Sequence, residues 1–211
     1  MRLVSVNVGN PTLVLLNGKT RNTAIGKQPT ATQTTVTTLG LAGDGVADSK
    51  HHGGVDQAVY AYSTEEYAWW SSVLETELPP GAFGENLTID SFASSDLEIG
   101  DRFVFEHGCV LEITSPRIPC GTLAARMSDV RFSAAFAKAE RPGPYLRVVA
   151  EGTVTSGETL ELMRMGSGYP MVDLMRLFYA RSPSQCEIAR ALSVPISTRD
   201  RERLARQLEV V

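Results

Sequence analysis

Cys120 stands near the end of the stretch Ile113-Thr114-Ser115-Pro116-Arg117-Ile118-Pro119-Cys120-Gly121. Each proline lacks an amide donor and fixes its own φ, and each pushes the residue before it toward extended geometry. The segment from Pro116 to Pro119 is therefore a stiff extended arm. It delivers one thiol, Cys120, beside one permanent cation, Arg117. Gly121 removes side-chain bulk next to the sulfur. A soft thiolate displayed this way suits a soft metal or a nucleophilic role. The plainer reading is a small buried hydrophobe, the usual state of a lone cysteine.

Two further loops carry residues of the same grade. One runs from Gly43-Asp44-Gly45 through Lys50-His51-His52-Gly53-Gly54-Val55-Asp56, and the other is Phe83-Gly84-Glu85-Asn86. Consecutive glycines let backbone amides approach a ligand, which suits an anion such as a phosphate or a carboxylate. Lys50 and Arg117 could neutralise that anion, Arg117 in bidentate fashion. Taken alone, Gly53-Gly54 also reads as a plain turn and Lys50 as a solvated loop charge. His51 and His52 are two of only three histidines. Neighbours in extended backbone face opposite ways, so one of the two at most faces a site, and His52, beside the glycines, is the candidate. Asp56 would orient His52 or cap the turn. Glu85 and Asn86 would hydrogen-bond a polar ligand edge, or satisfy only their own loop. Ser115 shares the third loop with Arg117 and Cys120.

The elements that must position these loops are mostly short strands. Residues 2–8 and 12–16 alternate like strands around the turn cluster Gly9-Asn10-Pro11. Residues 30–38 are rich in Thr and Val, a β-branched strand composition. Residues 57–62, 87–89, 102–105, 109–113, 145–149 and 158–163 complete the β signal. Ser63 or Thr64 opens a helix with Glu65 and Glu66 in its first turn, running to about Leu74. After Cys120, Leu123, Met127, Val130 and Ala134 are spaced for one helical face. The expected fold is mainly β with helical insertions, an α+β chain with a β-barrel-like core.

Near residue 166 the composition changes. Gly166-Ser167-Gly168-Tyr169-Pro170 reads as a linker, and residues 171–180, 184–192 and 198–208 read as three short helices. Residues 170–211 hold seven Arg and five acids, net +2, against net −6 for residues 1–169. Two domains are expected, a core over 1–165 and a helical extension over 166–211, with the site kept by the core. The whole chain has 211 residues and net charge −4. That charge argues against non-specific nucleic-acid or membrane binding. The three cysteines, Cys109, Cys120 and Cys186, have no paired spacing and give no disulfide framework. The start reads as a strand rather than a signal peptide, and a reducing cytoplasm is the expected compartment.

Taken in order, Gly43-Asp44-Gly45, Lys50-x-His52-Gly53-Gly54-x-Asp56-x-Ala58, Phe83-Gly84-Glu85-Asn86-Leu87 and Pro116-Arg117-x-Pro119-Cys120 resemble the MOSC family, the molybdenum cofactor sulfurase C-terminal domain. The resemblance is to the stand-alone bacterial branch with a three-helix C-terminal extension. It implies a β-rich barrel, a molybdenum–pterin cofactor, Cys120 as thiolate ligand to molybdenum, and reduction of N-hydroxylated compounds such as N-hydroxylated purines. Sulfur ligation suits that metal, and the cofactor would carry the hard chemistry. No iron–sulfur spacing and no Gly-x-Gly-x-x-Gly follows a strand, so a separate electron-donor reductase is the expected partner. Two other readings remain open from the residues. One is a cysteine-nucleophile hydrolase or transferase built on Cys120, His52 and Asp56. The other is a non-catalytic module that binds the cofactor or its sulfur. The tail reads as a packing or dimerisation module, leaving a homodimer open, rather than a DNA reader.

Overall fold

The computed structural model describes residues 1–16, 18–45 and 53–209. The sequence-derived candidates Lys50, His51 and His52 lie outside the described residues. In chain order the elements are β1 (Leu3–Val8), β2 (Thr12–Leu16), β3 (Lys19–Thr23), β4 (Gln28–Thr30), β5 (Thr34–Thr37), β6 (Gly40–Leu41), β7 (Val59–Ser63), α1 (Thr64–Leu74), β8 (Leu87–Ile89), β9 (Arg102–Phe105), β10 (Val110–Pro116), α2 (Gly121–Arg126), α3 (Phe132–Ala139), β11 (Pro144–Ala150), β12 (Gly152–Val154), β13 (Leu160–Met163), α4 (Met171–Tyr179), α5 (Gln185–Leu192) and α6 (Thr198–Glu209). Short 3-10 turns cover Val55–Gln57 and Ser94–Asp96.

One eight-stranded sheet dominates, in the order β13-β9-β10-β11-β7-β8-β1-β4. Its pairs are antiparallel except β7 with β8, which run parallel across the α1 connection. All five residues of β7 are buried, as expected for a strand covered on both faces. The sheet curls toward itself. An antiparallel bridge joins Arg2 to Thr159, and Leu3 N–H donates to the Glu158 carbonyl at 3.0 Å. The fold is thus sheet-dominated and barrel-like, but strand pairing does not run continuously around it, and β4 extends beyond β1. A three-stranded sheet, β12-β5-β6, and the β2–β3 hairpin stand apart. β1 and β2, neighbours around Gly9-Asn10-Pro11, do not pair; β1 takes β4 and β8, and β2 takes β3.

The helical run after Cys120 differs from its sequence pattern. Ser128 has φ 55°, a left-handed conformation that ends a helix, so α2 and α3 are separate. The expected stripe is therefore broken: Leu123 is buried, but Val130 is 73% exposed. Phe132 and Phe136 bury instead, against Trp70, Tyr62 and Phe83. This aromatic cluster packs behind β7 and α1 and backs the loop that carries Cys120.

Residues 166–211 fold onto the core. Leu174, Leu177, Ile188, Ala191, Ile196 and Leu204 share one buried cluster with Leu3, Phe103, Leu111 and Ile113 of the sheet. Burying such side chains stabilises by roughly 1.5–3 kcal/mol each relative to leaving them in water. Backbone bonds cross the junction as well, with Met171 N–H on the Leu97 carbonyl at 2.8 Å and Ser197 N–H on the Thr114 carbonyl at 3.1 Å. Among the described residues no helix is long and apolar enough to cross a membrane.

Candidate functional site

β10 and β11 are antiparallel partners, and β11 pairs in turn with β7, placing Tyr145 opposite Tyr60. Both aromatic rings turn toward one cavity of about 350 Å³, with ring centroids 5.2 Å apart. That volume suits a small organic ligand. At the end of β10 the proline arm brings Arg117 and Cys120 to the same cavity. Cys120 is half-buried and stands at the N-terminal end of α2. None of the three cysteines is in a disulfide. The Cys120 carbonyl accepts from Ser133 Oγ at 3.0 Å, which ties the thiol-bearing residue to α3.

Arg117 is 4% exposed. Its guanidinium lies over the Tyr60 ring, 4.8 Å from the centroid, a cation–π arrangement. It also donates from Nη1 to the Phe83 carbonyl. Burial works against its charge, but the Tyr60 and Tyr145 hydroxyls and the Cys120 sulfur outweigh burial and hold its pKa above the usual arginine value. Arg117 Nε is buried and has no hydrogen-bond partner among the described residues. A buried donor left this way costs roughly 1–3 kcal/mol, so it is a natural contact point for a bound group.

A second cation, Lys27, lines the cavity from the segment before β4. Its ammonium pairs with both Asp44 carboxylate oxygens. Asp44 also accepts from Gly9 N–H at 2.9 Å and from Asn86 Nδ2 at 2.8 Å. Burial pushes the Lys27 pKa below the usual lysine value, although Asp44 pulls it back up. Asn86 is locked from the other side, because its Oδ1 accepts from Tyr60 N–H at 3.1 Å. Asp44, Asn86 and Tyr60 thus brace one another around Lys27.

The sequence-derived candidates separate into two sets. Cys120, Arg117, Asn86, Gly53 and Gly84 line the cavity. Gly84 has φ 77°, and a Cβ there would meet Ile25 Cγ1 at 2.8 Å, so this turn requires glycine. Gly54, at φ 86°, precedes the Val55–Gln57 turn without lining the cavity. Glu85 is turned the other way. Its Oε1 accepts from Tyr67 Oη at 2.6 Å, Gly81 N–H at 2.7 Å and Thr88 Oγ1 at 2.8 Å. Burial raises its pKa, outweighing those donors. Glu85 therefore braces the loop from behind rather than contacting a cavity ligand, because adjacent residues in extended chain face opposite sides. Ser115 also faces away, donating to Asp200 Oδ2 at 2.6 Å.

Asp56 does not line the cavity. Its Oδ2 accepts from Thr198 N–H at 2.7 Å and its Oδ1 lies 3.5 Å from Arg147 Nη2. Burial would raise its pKa, but the Thr198 hydrogen bonds outweigh it and hold the carboxylate below the usual value. Sequence reasoning passed over Lys27, Gln57, Tyr60, Thr122 and Tyr145, all of which line the cavity. Asp44, noticed only as part of a glycine motif, belongs with them. The Lys27 signal was absent locally, since its partner lies 17 residues away, beyond strands β4 to β6.

Comparison with known proteins agrees with this architecture. The MOSC domain profile matches residues 48–161. YflK of Bacillus subtilis (strain 168) is 33% identical over 192 residues, covering 90% of this chain and 86% of that protein. A protein of Gibberella moniliformis named "Reductase" is 30% identical over 166 residues, covering 75% of this chain and 29% of that protein. The crystal structure of YiiM from Geobacillus stearothermophilus superposes with a TM-score of 0.80 at 25% identity, covering 98% of each chain. YiiM from Escherichia coli superposes at 0.76 with 23% identity, covering 98% of this chain and 92% of that one, a likeness of fold. With the profile match spanning more than half of its length, the chain belongs to the MOSC domain family.

Proposed function

We propose that this chain is a molybdenum-cofactor-dependent oxidoreductase that reduces N-hydroxylated compounds, N-hydroxylated purines among them, in the cytoplasm. The observation that carries the reading is the single cavity that gathers the Cys120 thiol, the Arg117 guanidinium and the Lys27 ammonium. Membership of the MOSC family and the relative named a reductase support the same class of chemistry.

The residues fit such a cofactor. A thiolate ligand suits a sulfur-rich molybdenum centre, and Cys120 opens onto the cavity. The Arg117 guanidinium, whose Nε has no partner among the described residues, and the Lys27 ammonium offer donors and positive charge to an anionic cofactor. When bound, the cofactor supplies the two-electron removal of oxygen from nitrogen. The chain's own residues do the rest. Arg117 holds its charge at every relevant pH, and Tyr60 keeps its guanidinium plane fixed. Asp44 and Asn86 orient Lys27, whose burial-acidified ammonium supplies a proton to the departing hydroxyl. The balance is one N-hydroxyl group, two electrons and two protons giving one N–H group and one water. The electrons come from a separate reductase.

The test is protein made in a cofactor-competent host. Elemental analysis should find molybdenum, and a fluorescence assay should find the pterin. Turnover of an N-hydroxylated purine should run with reduced viologen and fail with a nicotinamide cofactor alone. Cofactor-free protein that still hydrolyses esters or amides would overturn the reading in favour of a cysteine nucleophile.

A further inference from the structure

The helical extension reaches the site through the first turn of α6. Four contacts converge there. Ser197 N–H bonds the Thr114 carbonyl on β10 at 3.1 Å. Thr198 N–H bonds Asp56 Oδ2 at 2.7 Å. Arg199 Nη1 bonds Gln57 Oε1 at 2.9 Å. Asp200 Oδ2 accepts from Ser115 Oγ at 2.6 Å, and from Ser197 Oγ at 2.7 Å within its own turn. Thr114 Oγ1 adds a bond of 2.5 Å to the Asp56 carbonyl. The turn is thereby clamped between the Val55–Gln57 segment and the strand that leads to Arg117. Arg147 holds the chain just before it, donating to the Pro195 and Ile196 carbonyls at 2.9 and 3.2 Å.

Gln57 is the member of this clamp that lines the cavity. An amide side chain carries an acceptor at one end and two donors at the other, whereas arginine has donors only. Bonded to Arg199, Gln57 turns its oxygen toward α6, which leaves its NH2 group as the end of the amide that can serve the cavity. We propose that Arg199 is a positioning residue that fixes the Gln57 amide as a hydrogen-bond donor facing the cavity, so that the extension helps select a ligand bearing an acceptor at that point. A ring nitrogen or carbonyl oxygen of a purine-like substrate is such an acceptor, and this part of the inference rests on the function proposed above. Arg199 acts through Gln57 and need not touch the ligand. Its place is secured by its neighbours Thr198 and Asp200, which are bonded to Asp56 and to Ser115.

The experiment has two arms on the full-length chain. In the first, the Gln57 side-chain NH2 signals are assigned in a nitrogen-15 spectrum by their loss in Gln57→Glu. Wild type and Arg199→Lys should show an ordered pair at one position, because lysine is also a pure donor. Arg199→Met, with Arg199→Ala as its duplicate, should shift the pair and raise its mobility while thermal unfolding stays close to wild type. In the second arm, loaded enzyme is assayed with an N-hydroxylated purine. KM should rise roughly three- to tenfold in Arg199→Met, as for a coupled neighbouring pair, with kcat within about twofold and Arg199→Lys restoring KM. In the double variant with Gln57→Ala, Arg199→Met should add nothing further. Unchanged Gln57 signals in Arg199→Met would overturn the positioning role whatever the kinetics show. Shifted signals with no turnover in wild type would leave the positioning role standing and reject the proposed function.

Discussion

β10 carries a cysteine just beyond each end, and the two thiols have opposite surroundings. Cys109, before the strand, is fully buried in the main core. Gly152 approaches so closely that a Cβ there would meet the Cys109 amide nitrogen at 2.7 Å. Burial, with a smaller push from Glu158, raises the Cys109 pKa to about 12. Cys120, after the strand, is half-buried, faces a cavity and stands beside a cation that is itself buried. One strand thus supplies an inert thiol and a displayed one. The difference arises at the end of β10, where Pro116 is the last paired residue, opposite Pro144, and Pro119 lies in the unpaired stretch that leads to Cys120, whereas Cys109 enters the sheet directly. Residue type alone does not separate the two; the company each keeps does.

Removing residues 166–211 is the harshest way to break this comparison, because it strips contacts from the Cys120 end of β10 and apolar cover from the cluster that buries Cys109. Ser115 loses Asp200, and the apolar partners of Leu111 and Ile113 go with α4 and α5. The expected outcome is loss of a cooperative unfolding transition, a cost comparable with a whole domain's stability of about 5–15 kcal/mol. A fragment 1–165 that unfolds cooperatively and binds cofactor would show instead that the core is self-sufficient. Lys27→Met comes next. It leaves the Asp44 carboxylate buried without its cation, and denaturant unfolding should show a loss of about 3 kcal/mol.

Glu85→Gln should act mainly through pH. The folded-state pKa of Glu85 lies above its ordinary 4.5, so the folded chain binds the extra proton more tightly than the unfolded chain does. Wild-type stability should therefore fall as pH rises from 4.5 through the folded pKa, with a slope of up to about 1.4 kcal/mol per pH unit, and the variant should lack that slope. Unfolding free energies measured across acid to neutral pH decide it, and equal slopes would contradict a titrating Glu85. The smallest effect belongs to the buried end of β10. Cys109→Ala should cost about 1 kcal/mol, and Cys109 should resist alkylation at pH 8 while exposed Cys186 reacts.

Most of the longer strands, the glycine-rich loops and the proline arm were legible because each is a local pattern, namely alternation, glycine clusters, and two prolines three residues apart, whereas the short strands β3, β6 and β12 were not. The division of labour inside a motif was not. Glu85 and Asn86 are neighbours, yet one backs the aromatic core and the other braces Lys27. Only the pairing of β8 with β7 and β1 decides which side chain goes where. Tyr60 and Tyr145 looked like ordinary strand aromatics and reach the cavity because β11 pairs with β7 in one register. The single amphipathic stripe read over Leu123 to Ala134 failed at Ser128, whose left-handed backbone carries no strong residue signal. The clamp of α6 on Asp56 and Ser115 joins residues 142 and 85 positions apart, beyond any local pattern.

The central claim is that the displayed thiol, and not the buried one, is the metal ligand. The direct measurement is turnover of an N-hydroxylated purine by cofactor-loaded wild type, Cys120→Ser and Cys109→Ala, with circular dichroism as the folding control. Serine is nearly isosteric but a harder and far less acidic donor, a poor ligand for a sulfur-rich molybdenum centre. Cys120→Ser should keep its fold and lose turnover, while Cys109→Ala keeps both. Wild-type turnover in Cys120→Ser with cofactor present would contradict the account.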